Sequence, residues 1–271
     1  MIHPTHGAPP CVSFCIAPLG TSKRHRFAIL LKVNTERINR LDIHEYFEDC
    51  ARNSALWSHE DLPFKAHIYA GHPKIAVVTG ENGSGKSLLV QLLSAYCRKH
   101  HDCTHVMVSI RERTGSGLND MAGFRRTMMF GDESEHSTGA ISVKVLEPAF
   151  NTLNSRTSEG KKALLILDEP EIGLSDSYAS AMGAYLAEKS SQLPELAAGL
   201  VVVTHSRSLV RAMMSTLGCK PGFVKLGTKQ SLNTWLKGET PKSVSDLVGL
   251  AKKSHDNWRK VRNIIDELKK S

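Results

Sequence analysis

The residues that could do chemistry begin with an eight-residue stretch, 80–87, that reads Gly-Glu-Asn-Gly-Ser-Gly-Lys-Ser. Its glycines allow a tight turn in which successive backbone N–H groups point inward, so that a di- or triphosphate could be held largely by main chain. Lys86 is expected to reach the outer phosphate oxygens, and the Ser87 hydroxyl to ligate Mg²⁺. The candidate phosphate-binding residues are Gly80, Asn82, Gly83, Ser84, Gly85, Lys86 and Ser87.

The segments on either side of this stretch support the same interpretation. An apolar run, Lys74–Thr79, precedes it, and the pairs Leu88/Leu92 and Leu89/Leu93 follow it at helical spacing. A strand, a glycine-rich loop and a helix in this order are the context that a phosphate-binding loop requires, whereas a flexible linker would lack both flanks. The sequence therefore predicts a nucleotide site here.

Two adjacent carboxylates follow a second apolar run, which covers Lys162–Asp168. A buried strand that ends in Asp168 would bring this carboxylate to the edge of the sheet beside the phosphate loop, where it could hold Mg²⁺ directly or through water. Glu169 is then expected to orient and deprotonate an attacking water. A simple acidic turn stopped by Pro170 is the alternative.

A histidine directly follows a third apolar run, which covers Gly199–Thr204. His205 follows Asp168 by one predicted helix and one strand, which places it on the neighbouring strand and near the same phosphate. A histidine at the end of a strand is more often structural, so a purely structural role is the alternative.

The elements that must position these residues alternate along the chain. Strands are predicted at Phe27–Val33, Ala66–Ala70 and Thr104–Ile110, and a helix at Tyr178–Ser190. Continuous apolar strands separated by helices predict an α/β fold with a mainly parallel sheet flanked by helices, an N-terminal β element and a C-terminal helical extension. The polar, Gly-rich segment 111–139 is predicted to form loops over the active face.

Composition limits the remaining possibilities. With 271 residues and 41% hydrophobic content, the chain can bury one large core. We expect a main domain over 1–240 and a basic helical extension over 241–271. The start lacks a secretory pattern, no apolar run approaches the ~20 residues that cross a bilayer, and six scattered cysteines favour reduced thiols, so a cytoplasmic protein without membrane contact is expected. The net charge of +8 permits contact with nucleic acid.

The C-terminal extension carries an apolar stripe at helical spacing. Its members are Leu247, Ala251, Ser254, Trp258, Val261, Ile265 and Leu268, broken only by the serine. A helix packed on its own domain and a helix that docks a partner would both show this pattern.

Two further groups of residues are weaker candidates. Donors for zinc are dense at Cys97, His100, His101, Cys103 and His105, but no second cysteine pair accompanies them. Aromatic residues that could stack on a base or pack in the core precede the phosphate loop at Trp57, Phe64 and Tyr69. Neither group decides the function.

The order and spacing of these motifs resemble the ABC-type ATPases, specifically the soluble SMC/RecF-like branch of P-loop NTPases, over residues 60–210. The resemblance implies that 80–87 is the Walker A loop and 164–168 the Walker B strand, with Glu169 as catalytic base. It also implies that 173–176 is a D-loop that includes Asp176, and that His205 is the switch histidine that senses the γ-phosphate. The cofactors it implies are ATP and Mg²⁺.

The chain departs from that family in two motifs. The signature that caps the ATP of the opposite subunit has only a degenerate candidate at His136–Ser142, in which Ser137 and Gly139 would contact the phosphate. An ordinary helix cap is the alternative. The Q-loop glutamine has no equivalent, although the segment 111–113, Arg-Glu-Arg, could replace it. The chain is also too short between the Walker motifs for a coiled-coil arm.

The resemblance implies a slow ATPase that forms an ATP-dependent homodimer. It would act as a switch or regulatory subunit for a protein partner, an effector or a nucleic-acid machine, in a process such as DNA repair or mobile-element defence. The alternative is a nucleotide-gated binding module with negligible hydrolysis. The degenerate signature disfavours the energy subunit of a transporter.

Overall fold

The computed structural model of the protein describes residues 41–109, 137–238 and 240–270. The predicted strand at Phe27–Val33 and the segment 111–113 that could replace the Q-loop lie outside these residues. The described residues from Leu41 onward belong to one compact unit. Within them, no helix has the length and apolar character needed to cross a membrane.

A six-stranded sheet forms the centre of this unit. Its strands in chain order are β1 (Ala66–Tyr69), β2 (His72–Gly80), β3 (Cys103–Val108), β4 (Lys162–Asp168), β5 (Ala197–Val203) and β6 (Pro221–Leu226). Their order in space is β1-β6-β2-β5-β4-β3, and all neighbours are parallel except β1 and β6. Strand β5 therefore lies between β2, which leads into the phosphate loop, and β4, which ends in Asp168.

Helices cover both faces of the sheet. They are α1 (Ile43–Asn53), α2 (Lys86–His100), α3 (Thr138–Lys144), α4 (Leu146–Ser158), α5 (Asp176–Ser191), α6 (Arg207–Leu217), α7 (Leu232–Leu236) and α8 (Val244–Leu268). One face packs against α1, α2 and the end of α8, and the other against α4 to α7. Ala76 and Val78 of β2 face the first cluster and Ile75 and Val77 the second, as the alternation of side chains along a strand requires.

The predicted fold class, an α/β fold with a mainly parallel sheet, is confirmed by this topology. The predicted strand Lys162–Asp168 has the predicted bounds, and the other predicted strands in the described part of the chain differ from the observed ones by at most two residues at either end. The prediction of loops over 111–139 is wrong at its end, because α3 begins at Thr138 with Ser137 as its N-cap. Residues 111–136 lie outside the described part of the chain.

The predicted apolar stripe of the C-terminal helix is only partly correct. Val261 and Ile264 are buried in α8, whereas Leu247 is 69% and Trp258 57% exposed. Only the part of α8 from Val261 onward reaches the core formed with α1 and α2, so the apolar residues before it have no core to enter. The C-terminal end of α8 therefore packs on its own domain, whereas the rest of the helix lies on the surface.

Candidate nucleotide-binding site

The phosphate loop joins the end of β2 to the start of α2, as the sequence predicts. Gly83 and Gly85 have φ angles of 73° and 91°, which favour glycine, and Gly85 is the N-cap of α2. A Cβ at Gly85 would also lie 2.6 Å from the ring of Phe64. Because both the backbone angle and the space exclude a side chain, the loop can keep this shape only with glycine at 85.

Lys86 and Ser84 provide polar groups that suit a polyphosphate. The Lys86 ammonium is buried and donates to the carbonyls of Gly80 at 3.1 Å and Glu81 at 3.3 Å. Burial lowers the pKa of Lys86, and the negative charges of Glu169 and Asp168 oppose this effect. The Ser84 hydroxyl is buried without a hydrogen bond to any described residue. An anion bound in the loop would stabilise the ammonium and give this hydroxyl an acceptor, so these residues fit the phosphates of a nucleotide.

The two predicted carboxylates lie where β4 ends. Asp168 is the last residue of β4, and the next N–H, that of Glu169, donates to the Val203 carbonyl of β5 at 2.8 Å. Glu169 has a φ angle of 50°, a conformation that costs a residue with a side chain about 1–3 kcal/mol. Backbone strain of this kind persists only where the surrounding structure enforces it. Here the continued pairing with β5 holds the strained residue in place.

His205 lies beside Glu169 at the end of the neighbouring strand. The His205 Nε2 atom is 3.6 Å from Glu169 Oε1. Burial and the positive charge of Lys86 lower the pKa of His205, and Glu169 opposes them, so the imidazole is neutral at neutral pH. The structure thus brings Lys86, Asp168, Glu169 and His205 to one edge of the sheet.

Glu171 is a residue of this site that the sequence analysis did not single out. Its carboxylate accepts a hydrogen bond from the Thr204 hydroxyl. The Thr204 hydroxyl oxygen in turn accepts from the Ser206 N–H at 2.9 Å. Burial raises the pKa of Glu171, and its second oxygen is buried without a hydrogen bond to any described residue. Glu171 therefore connects the turn after Glu169 to the turn that carries His205. The feature of the sequence that could have indicated Glu171 is a second acidic residue two positions after Glu169.

Asp176 lies at the start of α5. Its Oδ1 atom accepts a hydrogen bond of 3.1 Å from the Ser208 hydroxyl at the start of α6. This contact links the two helices that follow Glu169 and His205. The catalytic role that the resemblance implies for Asp176 stays a prediction.

The signature candidates have contacts within their own chain. The exposed Ser137 caps α3 by accepting from the Ala140 N–H at 3.3 Å. Gly139 is buried, and a Cβ there would lie 2.7 Å from the Gly173 carbonyl oxygen. Packing in cis is thus enough to require glycine at 139, and helix capping is enough to account for Ser137. Their contact with a second subunit stays a proposal.

The structure shows what surrounds the aromatic residues and the candidate zinc ligands. Trp57 is buried, and Tyr69 packs on Phe223 at a ring distance of 5.9 Å, so both serve the core, whereas Phe64 borders the phosphate loop. Burial raises the pKa of the Cys97 thiol, and that of Cys103 to about 11, and within the described residues no three His, Cys, Asp or Glu side chains are grouped so that they could hold a metal ion.

Comparison with known proteins adds partial likenesses only. No family model and no curated protein matches the chain. Similar solved structures include Cdc6p from Pyrobaculum aerophilum, with 15% identity and a TM-score of 0.30 over 54% of this chain and 37% of that one. Another is the ORC2 protein of Aeropyrum pernix in ADPNP–ADP complexes, with 14% identity and a TM-score of 0.29 over 55% of this chain and 39% of that one. Each match covers less than two-fifths of the solved protein, and neither match identifies a family.

The class of protein follows from the site itself. A strand, a glycine-rich loop and a helix at 80–87, set in a mainly parallel sheet, are the features of a P-loop nucleotide-binding domain.

Proposed function

We propose that this chain is an ABC-type ATPase that binds Mg-ATP at residues 80–87 and hydrolyses it slowly. One observation carries the proposal: Glu169 and His205 lie 3.6 Å apart at the ends of adjacent strands, beside the buried ammonium of Lys86. A base, a polar group for the terminal phosphate and a phosphate-binding cation are the groups that hydrolysis of a nucleoside triphosphate requires.

Each of these groups has a distinct part in the reaction. Lys86 and the N–H groups of the loop hold the phosphates, and Ser87 and Asp168 would hold the Mg²⁺ that neutralises charge on the phosphate oxygens. Glu169 orients a water and accepts its proton as the water oxygen attacks the γ-phosphorus and ADP leaves. The neutral imidazole of His205 hydrogen-bonds the γ-phosphate. Lys86 keeps its proton because the bound phosphates offset its burial.

The first test is binding of Mg-ATP to Lys86→Ala, measured by isothermal titration calorimetry. Loss of a charge-assisted contact of about 1.5–3 kcal/mol should weaken affinity about 10- to 100-fold. Lys161→Ala is the control, because Lys161 is an exposed lysine just before β4, at the opposite end of that strand from Asp168. Equal affinity of both variants and the unaltered protein would reject the nucleotide site.

The proposal includes an ATP-dependent homodimer in which Ser137 and Gly139 cap the nucleotide of the other subunit. Its support is a link between α3 and the segment after Glu169. The Ser142 hydroxyl donates to the Ile172 carbonyl at 3.0 Å, and Gly139 packs against Gly173. A phosphate that contacts Ser137 would therefore be linked to the turn that carries the base. A protein partner or a nucleic acid would respond to this closure.

Mixing two inactive variants tests the shared site. Ser137→Asp keeps a good helix cap but places a carboxylate against the partner's γ-phosphate, so it should bind ATP without turnover. Mixed with Lys86→Ala, it forms one intact site from its own phosphate loop and the other subunit's Ser137, and ATPase activity should partly return. Ser231→Asp, at the N-cap of α7, is the control and should stay active alone. No recovery on mixing, with both proteins folded, would reject capping in trans.

A further inference from the structure

The C-terminal helix touches the phosphate loop, and this contact is not explained by the reaction. Lys242, just before α8, lies 2.6 Å from the Glu81 carboxylate, and Lys253 of α8 lies 3.8 Å from it. The Asn257 carboxamide donates to the Gly83 carbonyl at 3.4 Å. The helix is thus joined to the loop residues that precede Ser84.

A cleft of about 340 Å³ opens where the helix meets the loop. Its walls are the loop residues 81–84, the segment 63–65 before β1, the segment 226–228 after β6, and Lys253 and Asn257 of α8. Its volume is at the lower end of the range of about 300–1,000 Å³ for small-molecule pockets. A ligand the size of a nucleoside therefore suits it.

The position of the cleft relative to the sheet fixes which part of a nucleotide it would take. Strand β2 has β5 on one side and β6 on the other. Glu169 and His205, which act on the terminal phosphate, follow β4 and β5, whereas the cleft adjoins the end of β6. With its last phosphate on the β5 side, a nucleoside triphosphate must direct its nucleoside toward the β6 side. The nucleoside then enters the cleft.

We propose that α8 forms part of the nucleotide site, and that Lys253 and Asn257 contact the nucleoside of the bound triphosphate. The carboxamide nitrogen of Asn257 is used by Gly83, and its oxygen accepts no hydrogen bond from the described residues, so the oxygen can receive a donor of the base or ribose. The Lys253 ammonium donates to an acceptor of the nucleoside. Phe64, against Gly85, supplies an apolar wall. Bound nucleotide thereby holds α8 against the loop.

The test rests on the proposed nucleotide binding, so it compares two ligands. We expect Asn257→Ala and Lys253→Ala each to weaken Mg-ATP affinity about threefold to tenfold, the effect of one lost hydrogen bond. Both should bind inorganic tripolyphosphate, which has no nucleoside, within twofold of the unaltered protein. The controls are Asn263→Ala and Lys252→Ala, which change exposed residues of the same types on the same helix and should alter neither affinity.

Each outcome separates this inference from the proposed function. If Lys86→Ala loses ATP binding while both α8 variants bind ATP normally, α8 contacts no nucleoside and only the inference fails. If the α8 variants lose affinity for ATP and tripolyphosphate equally, the helix merely supports the loop, and the inference is again wrong. If the unaltered protein binds neither ligand, the proposed function fails first. Thermal melting confirms that each variant is folded.

Discussion

The two sides of the phosphate loop are built differently. On the side of β4 and β5, Glu169 is held by backbone pairing, and the half-buried Glu171 accepts a hydrogen bond from Thr204 in the next turn. On the side of β6, exposed lysines and Asn257 of α8 reach the loop through side-chain contacts. Groups that act on a reacting phosphate need fixed positions, which backbone pairing provides better than contacts between exposed side chains. The difference suggests where the molecule is rigid and where it can move.

The largest expected effect tests the rigidity of the β4/β5 side. A Cβ at Gly183 of α5 would lie 2.0 Å from the Leu209 carbonyl oxygen of α6. Gly183→Ala must therefore separate the helices that follow Glu169 and His205, and should lower the free energy of unfolding by about 3 kcal/mol. At about 2–4 °C per kcal/mol, this is a fall in Tm of roughly 6–12 °C, measured by calorimetry.

The matched change on the other side is Gly249→Ala. Gly249 lies within α8, and no described residue comes within 4 Å of a Cβ there. Alanine should raise the free energy of unfolding by about 0.5–1 kcal/mol, because glycine is the poorer helix former. If the two alanine variants changed Tm alike, the contrast between the two sides would be wrong.

A smaller effect is expected at Glu171. Glu171→Ala leaves the Thr204 hydroxyl, next to His205, without its acceptor, which should cost about 1–3 kcal/mol of stability. Because His205 is then poorly positioned, kcat should fall about tenfold while the KM for ATP stays within twofold. Glu171→Gln keeps an acceptor oxygen and should restore most of kcat.

The control for this prediction is Glu81→Gln, which changes a half-exposed carboxylate on the α8 side. Loss of a surface ion pair should alter stability by less than about 1 kcal/mol. A loss of kcat in Glu171→Ala that Glu171→Gln did not restore would mean that Glu171 does not act through its hydrogen bond to Thr204.

The β4/β5 side was also the predictable side. Residues 80–87 and Lys162–Asp168 are continuous segments whose local pattern sets strand, loop and helix, and parallel strands bring their ends to one edge. The position of His205 on the strand next to Asp168 followed from the same alternation.

The β6 side could not be predicted from local pattern. The contact between Glu81 and Lys253 joins residues distant in the chain, and the periodicity of α8 placed Leu247 and Trp258 in a stripe that the structure leaves exposed. Periodicity indicates one face of a helix, but how far along that face a core extends depends on tertiary packing. Glu171 was missed for a related reason, because only its hydrogen bond to Thr204, which the fold creates, distinguishes it from an ordinary turn residue.

The most direct test of the proposed ATPase is turnover of Mg-ATP by Glu169→Gln, with binding measured on the same sample. Without its base the protein should bind ATP with unchanged affinity and accumulate as a dimer in light scattering. Its rate of ATP hydrolysis should fall by a factor of about 100 or more. Glu188→Gln, an exposed glutamate of α5, should behave as the unaltered protein. Equal turnover in Glu169→Gln and the unaltered protein would contradict the account, and binding without measurable turnover in either would identify a nucleotide-gated binding module instead.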